Sequence, residues 1–325
     1  MSGSLAWTRR PIPPRGHADA AAGRVTQHPM VRRLAKAIRE ASGNGAEAKL
    51  KRAQLRHRLL TQLPDRLSGG KLSRAYRAME VEVREWTVAA PGWPTAFDGL
   101  RIGQVTDLHA GELITPEHAA GIVARLRGRG VDMVVCTGDV TDLDPDHAVE
   151  PLNMLGSLEA PMGSYLVLGN HDALQSAEAV ASAARRAGVK VLRNQSISLR
   201  RRNATLRVGG VEWAETVSSC AKTVDLAAAE PHGRPDLLLA HNPKAFRRAV
   251  QLGVPLTLSG HTHGGQLALR RQEPTFPRRA AWRRLHAGPY VDGGSHLYVS
   301  SGAGSWFPMR VNRPPEVVVL TVRKG

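Results

Sequence analysis

Cysteine is nearly absent from this chain, with only Cys136 and Cys220 in 325 residues. That scarcity excludes a disulfide framework and thiolate-rich zinc modules, and a reducing, cytoplasmic setting is the simpler expectation. Aromatic residues make up only 4%, so the core has to be built from Val, Leu, Ala and Ile. No apolar run approaches the length of about 20 residues that crosses a bilayer. Thr8-Arg9-Arg10 has a twin-arginine look, yet Pro11-Ile12-Pro13-Pro14 follows where an apolar segment would be needed, so no export signal is expected. Acidic residues are also few: 28 Asp and Glu face 45 Lys and Arg, a formal charge of +17.

Much of that excess lies in the first 85 residues, with 18 Lys and Arg against 7 Asp and Glu. Residues 1–27 mix Pro, Gly, Ala and Arg without periodicity and read as a disordered tail. Residues 28–85 read as a basic amphipathic helical extension. Val31, Leu34, Ala35 and Ile38 share one face, Leu55, Leu59 and Leu63 repeat the spacing, and Ser42-Gly43-Asn44-Gly45 separates the two helices. Such helices can pack on a neighbouring domain, lie on an anionic membrane surface or bind nucleic acid. Nucleic acid ranks last, because the segment has almost no aromatic side chains for stacking and no RNP, KH or zinc-finger pattern.

What is abundant is polar residues at the ends of apolar runs. Asp107-Leu108-His109 follows Leu100 to Val105, Gly138-Asp139 follows Val131 to Cys136, and Gly169-Asn170-His171-Asp172 follows Tyr165 to Leu168. His241 follows Asp236 to Ala240, and Gly260-His261-Thr262-His263-Gly264 follows Val254 to Leu258. Helix-length stretches such as Pro116 to Leu126 and Ala177 to Ala187 separate the runs. In α/β proteins, ligand sites gather beyond the carboxyl ends of strands, so these clusters can meet at one edge. Mixed imidazole, carboxylate and amide donors suit Mn²⁺, Fe or Zn²⁺ better than the oxygen-loving Mg²⁺ or Ca²⁺.

In their order D-x-H, G-D, G-N-H-D, H and G-H-x-H, these residues resemble the calcineurin-like metallophosphoesterases, and the resemblance covers about residues 86 to 325. It implies an α/β/β/α four-layer sandwich for residues 86–325, carrying the N-terminal basic helical extension. It also implies two divalent metal ions. Asp107, His109 and His263 would bind the first, Asn170, His241 and His261 the second, with Asp139 bridging and His171 as the catalytic histidine. The implied activity is hydrolysis of a phosphodiester or pyrophosphate by a metal-bridging hydroxide. Similarity to the compact bacterial branch extends the expectation to a membrane-associated substrate, such as a nucleotide lipid of UDP-diacylglucosamine type. A nuclease or nucleotide phosphodiesterase is the alternative, and a scaffold that lost catalysis ranks lower because every ligand position is kept.

Further expectations concern the surroundings. Asp172 is read as capping the helix expected over Gln175 to Ala187, with orientation of His171 as its second role. Arg310, after Gly302-Ala303-Gly304, is read as solvated, with a substrate-phosphate clamp as the alternative. His17, His28, His57, His118, His147, His232, His286 and His296 lack strand-end context and receive no role. Segments at Thr205 to Gly209, Pro255 to Leu258, Leu267 to Leu269, Leu297 to Ser300 and Glu316 to Val322 are expected to form a second sheet facing the first.

Overall fold

Alternate residues of each apolar strand enter different layers, as a sheet buried on both faces requires. The computed structural model describes residues 45–229, 231–267, 278–280 and 285–325. The expectations for the tail at 1–27, the first basic helix and residues 268–269 fall outside these residues.

Helices α1 (Ala46–His57), α2 (Leu63–Leu67) and α3 (Lys71–Arg77) open the described chain, with a π-type turn at Arg58–Gln62 between α1 and α2. The first sheet has the order β1 (Glu82–Ala90), β13 (Glu316–Lys324), β2 (Leu100–Val105), β3 (Met133–Cys136), β4 (Ser164–Leu166) and β5 (Lys190–Val191). The second runs β10 (Arg278–Arg279), β11 (Gly288–Asp292), β12 (Ser295–Val299), β9 (Leu256–Ser259), β8 (Leu237–Leu239), β7 (Ala204–Gly210) and β6 (Gln195–Arg201).

Ile102, Met133, Val135 and Leu320 from one sheet pack against Val208, Leu237, Leu239 and Leu258 from the other. The intervening residues point outward. Val134 and Cys136 meet α4 (Pro116–Val123), α5 (Val149–Gly156) and α6 (Ala177–Arg186), while Leu238 and Val299 meet α7 (Val217–Ala227) and α8 (Phe246–Leu252). Helix, sheet, sheet and helix therefore form the expected four layers. Cys136 is buried and free, a small core side chain whose thiol burial pushes toward the neutral form.

One strand sits elsewhere than expected. Glu316–Lys324 belongs to the first sheet, parallel to β1 from Glu82↔Glu316 to Ala90↔Lys324 and antiparallel to β2. Its period-2 pattern fits either sheet, and the choice is made by pairing with strands more than two hundred residues away in sequence.

The chain divides into two units between Leu55 and Arg56. Of the first, residues 45–55 are described, and they carry an i,i+4 ion pair from Lys51 to Glu47 at 2.8 Å. The second runs from Arg56 to Gly325, so the helical residues 56–77 share it with both sheets.

Candidate metal centre

The strands β2, β3 and β4 are mutually parallel, as are β7, β8, β9 and β12, and the polar clusters follow their carboxyl ends. Asp107, His109 and His263 converge in one cluster, and Asp139, His241 and His261 in another. In the first, His109 Nε2 lies 3.0 Å from His263 Nε2, and Asp107 Oδ1 lies 3.2 Å from the latter. In the second, Asp139 Oδ2 lies 3.2 Å from His241 Nε2, and the His241 and His261 rings are 5.1 Å apart. Asp139 Oδ2 is also 3.7 Å from His109 Nε2, so one carboxylate touches both clusters. Asn170 stands between Gly169 and His171, whose backbone N–H donates to Asp139 Oδ1 at 2.7 Å.

The backbone is held in a costly shape here. Asp107, His109, Asp139, His261 and His263 all have positive φ, between 47° and 72°. Left-handed backbone at a non-glycine residue costs on the order of 1–3 kcal/mol and persists only where the surroundings enforce it. Those surroundings are close-fitting. A Cβ at Gly260 would lie 2.3 Å from Asp107 Oδ2, and the His261 N–H donates to both Asp107 oxygens at 3.0 and 3.1 Å.

The donors fit a cation. His241 Nδ1 donates to Thr137 O at 2.7 Å, which turns its Nε2 toward Asp139; burial opposes a charge on this imidazole, but Asp139 outweighs it and lifts His241 to about 9, so a cation held here would take the place of the Nε2 proton. Asn170 Oδ1 is buried without a hydrogen-bond partner, a deficit that a metal ion would fill. Burial, reinforced by His241, pushes His261 down to about 3. Burial, together with His109 and Arg310, pushes His263 well below the usual range. Both imidazoles are thus neutral at pH 7, the form that ligates metals.

His171 faces the first cluster, its ring edge-on to His109 at 4.6 Å between centroids. Its Nδ1 bonds Asp142 twice, at 2.8 Å to the carbonyl and 3.0 Å to Oδ1. Burial opposes a charge on this imidazole, but Asp139 and Asp142 outweigh it and lift His171 to about 9. Asp142, three residues beyond Asp139, also has its Oδ2 3.0 Å from His57 Nδ1, and His57 Nε2 reaches Glu112 at 3.3 Å. His57 therefore has a place beside the centre, in contrast to the bland expectation for it.

Two other expectations change. Asp172 caps no helix, because Ser176 accepts from Ala179 N at the start of α6. Its carboxylate instead accepts from the backbone N–H groups of Asp139, Val140, Thr141 and Gly169 at 2.8 to 3.2 Å. It ties the β3 loop to the β4 loop. Arg310 is neither solvated nor open to substrate. It is buried, donating to Ser301 O, Gly304 O, Arg313 O and Tyr76 Oη, with Nη2 3.3 Å from His263 Nδ1.

Four residues at the centre have no motif to announce them. Asp142 lies within Gly138-Asp139-Val140-Thr141-Asp142, where spacing from Asp139 is its only signal. Trp213 stacks 4.6 Å from His261, just past the end of β7, so the strand-end rule could have found it. Arg56 and Trp306 meet near His171 from remote parts of the sequence.

Comparison with known proteins matches residues 100–265 to the family model described as calcineurin-like phosphoesterase. The chain is 30% identical over 259 residues to the uncharacterized metallophosphoesterase YkuE of Bacillus subtilis (strain 168), covering 75% of this chain and 86% of that one. It is 31% identical over 230 residues to an uncharacterized metallophosphoesterase of Helicobacter pylori, covering 68% of this chain and 59% of that one. It is 28% identical over 223 residues to the phosphodiesterase YaeI of Escherichia coli (strain K12), covering 66% of this chain and 79% of that one.

Proposed function

The chain belongs to the calcineurin-like phosphoesterase family and is a hydrolase of phosphoester bonds, and from that premise we propose that it cleaves a phosphodiester or pyrophosphate at a centre of two divalent cations. Asp107, His109 and His263 would hold one cation, Asn170, His241 and His261 the other, and Asp139 both. The observation that carries this reading is the Asp139 carboxylate within 3.7 Å of His109 and 3.2 Å of His241. Imidazole-rich donors without thiolate favour Mn²⁺ or an Fe- or Zn-containing pair.

When bound, such cations neutralise phosphoryl oxygens and make water nucleophilic at neutral pH. The chain's own residues manage the leaving group. With His171 Nδ1 committed to Asp142 at 2.8 and 3.0 Å, Nε2 is the atom left to carry a proton toward the departing oxygen. The elevation of His171 to about 9 supports that proton being present at pH 7. Asp172 keeps Asp139 in place by gripping the backbone N–H groups of both loops.

The partner reading is a lipid surface. Leu59, Leu60, Leu63 and Leu67 are exposed, with Arg58 and Arg66 among them. A helical apolar face flanked by arginine suits the interface of an anionic membrane. Among the described residues no helix is long and apolar enough to cross one. A substrate at that surface would be a lipid-linked phosphodiester, in preference to a nucleic acid.

Two measurements test these statements. Purified protein should hydrolyse bis-p-nitrophenyl phosphate with Mn²⁺ and lose that activity in EDTA; equal rates in both would reject the metal reading. Sedimentation with anionic vesicles should exceed that with neutral vesicles, and the lipid reading fails if neither binds at low salt.

A further inference from the structure

Arg56 lies outside the residues that match the family model, 100–265, and at sequence level is one charge among many in a basic helix. Its placement is particular. Nη2 stands 3.4 Å from His171 Nε2, although 115 residues separate the two in sequence. The guanidinium carbon lies 4.5 Å from the centroid of the Trp306 ring. Trp306 is itself fixed to the same helical stretch, because Thr61 Oγ1 donates to its carbonyl at 2.7 Å.

A guanidinium has five N–H donors in a planar fork that matches two oxygens of a phosphate. Among the described residues, Arg56 has no carboxylate within ion-pair distance, and its nearest polar side-chain atom, His171 Nε2 at 3.4 Å, accepts from it only when that nitrogen carries no proton, so an anion between the two would take a donor from each. The side chain keeps an exposed surface by which an anion can approach, while burial, Asp142 and Asp139 all act on its guanidinium. The Trp306 face holds a cation by its quadrupole and removes much of the side chain's rotational freedom, which lowers the cost of binding an anion there. An arginine held beside the His171 imidazole is placed where charge develops on the oxygens of a phosphoryl group in transfer.

We propose that Arg56, braced on Trp306, forms a phosphate-binding subsite that grips the non-bridging oxygens of the phosphoester next to His171. The inference rests on the phosphoesterase reading of the centre. It adds that substrate binding is completed by the helical segment ahead of the sheets.

The test uses Mn²⁺-loaded full-length protein and the variants Arg56→Ala, Arg56→Lys and Trp306→Leu, with Arg125→Ala as a loss of one exposed charge elsewhere. One arm follows kcat and KM for bis-p-nitrophenyl phosphate. The other measures binding of inorganic phosphate by calorimetry, which requires no turnover. Arg56→Ala should lower kcat/KM by about 10-fold to 100-fold, weaken phosphate binding to a similar degree and recover activity on addition of guanidinium. Arg56→Lys should fall between the parent and Arg56→Ala, because a point charge replaces the fork. Trp306→Leu should weaken phosphate less, and Arg125→Ala should match the parent.

If Arg56→Ala keeps its melting temperature and stays within about twofold of the parent in both arms, too small a difference for a lost charge-assisted bond, the subsite is rejected. If the parent hydrolyses no phosphoester, the functional reading has failed. The phosphate arm then decides alone: binding lost in Arg56→Ala sustains the subsite, and binding that is unchanged in Arg56→Ala or absent from the parent rejects it.

Discussion

The loops that close β2, β3, β4, β8 and β9 hold their side chains by burial and backbone bonds, whereas the helical residues 56–77 reach the same centre through a few side chains and leave four leucines exposed. At the loops, five non-glycine residues sit at positive φ and Asp172 alone accepts from four backbone N–H groups. Along the helical segment, Arg56 reaches His171, His57 reaches Asp142 and Thr61 reaches Trp306. The first region is over-determined, as chemistry needs when atoms must be placed to within fractions of an ångström. The second is attached at a few points and keeps an apolar face open, which suits recognition of a ligand that arrives at a surface. Substitutions should therefore separate catalysis and metal retention from binding.

The largest effect belongs to Asp139. Asp139→Asn keeps the shape and removes the charge that both clusters share, so metal analysis should show loss of at least one cation and turnover should fall by about 10³-fold or more. Full metal content with a small loss of rate would break the comparison at its strongest point. His171→Ala comes next. It should retain its metal, lose about 10²-fold on diesters with poor leaving groups and lose less on p-nitrophenyl esters, whose leaving group needs no proton. Equal losses on the two substrates would remove the general-acid role while leaving the metal reading intact.

Asp172→Asn should act on stability before chemistry. An amide offers one acceptor oxygen where the carboxylate offers two, so some of the four buried N–H groups lose their partner, at about 1–3 kcal/mol for each group left unsatisfied. A lower melting temperature with reduced metal affinity is expected. An unchanged melting temperature would mean that the β3 and β4 loops hold their shape without this tie.

The same contrast governs what could be read from sequence. That Asp107, His109, Asp139, His241, His261 and His263 come together was legible because each follows an apolar run at a strand end. The sheet that takes Glu316–Lys324 was not legible, since β1 and β2 offered the same alternating pattern as the second sheet and only long-range pairing decides. Asp142 was hidden in plain spacing, and its side chain turns to His171 and His57 by a fold-dependent route. Arg310 misled for a related reason. Its donors close on the carbonyls of Ser301, Gly304 and Arg313, and carbonyl partners leave no trace in side-chain composition. Arg56 and Trp306 are the extreme case, two side chains brought together across the length of the second unit.

The smallest effect on the folded protein, and the one that probes the helical segment most directly, concerns the leucines. Leu63 is 48% exposed and Leu67 80% exposed, so neither loses much burial when shortened. The double change Leu63→Ser and Leu67→Ser should move stability by only about 0.5 kcal/mol per site, as for surface positions away from special contacts. At a lipid interface the same side chains would each bury apolar area worth about 1.5–3 kcal/mol, so sedimentation with anionic vesicles should weaken by more than about tenfold. The two readouts pull apart only if the leucines face lipid. A large drop in melting temperature would instead show that they are packed in the folded protein in solution, and unchanged vesicle binding would assign the segment's membrane affinity to its arginines alone, which added salt would then abolish.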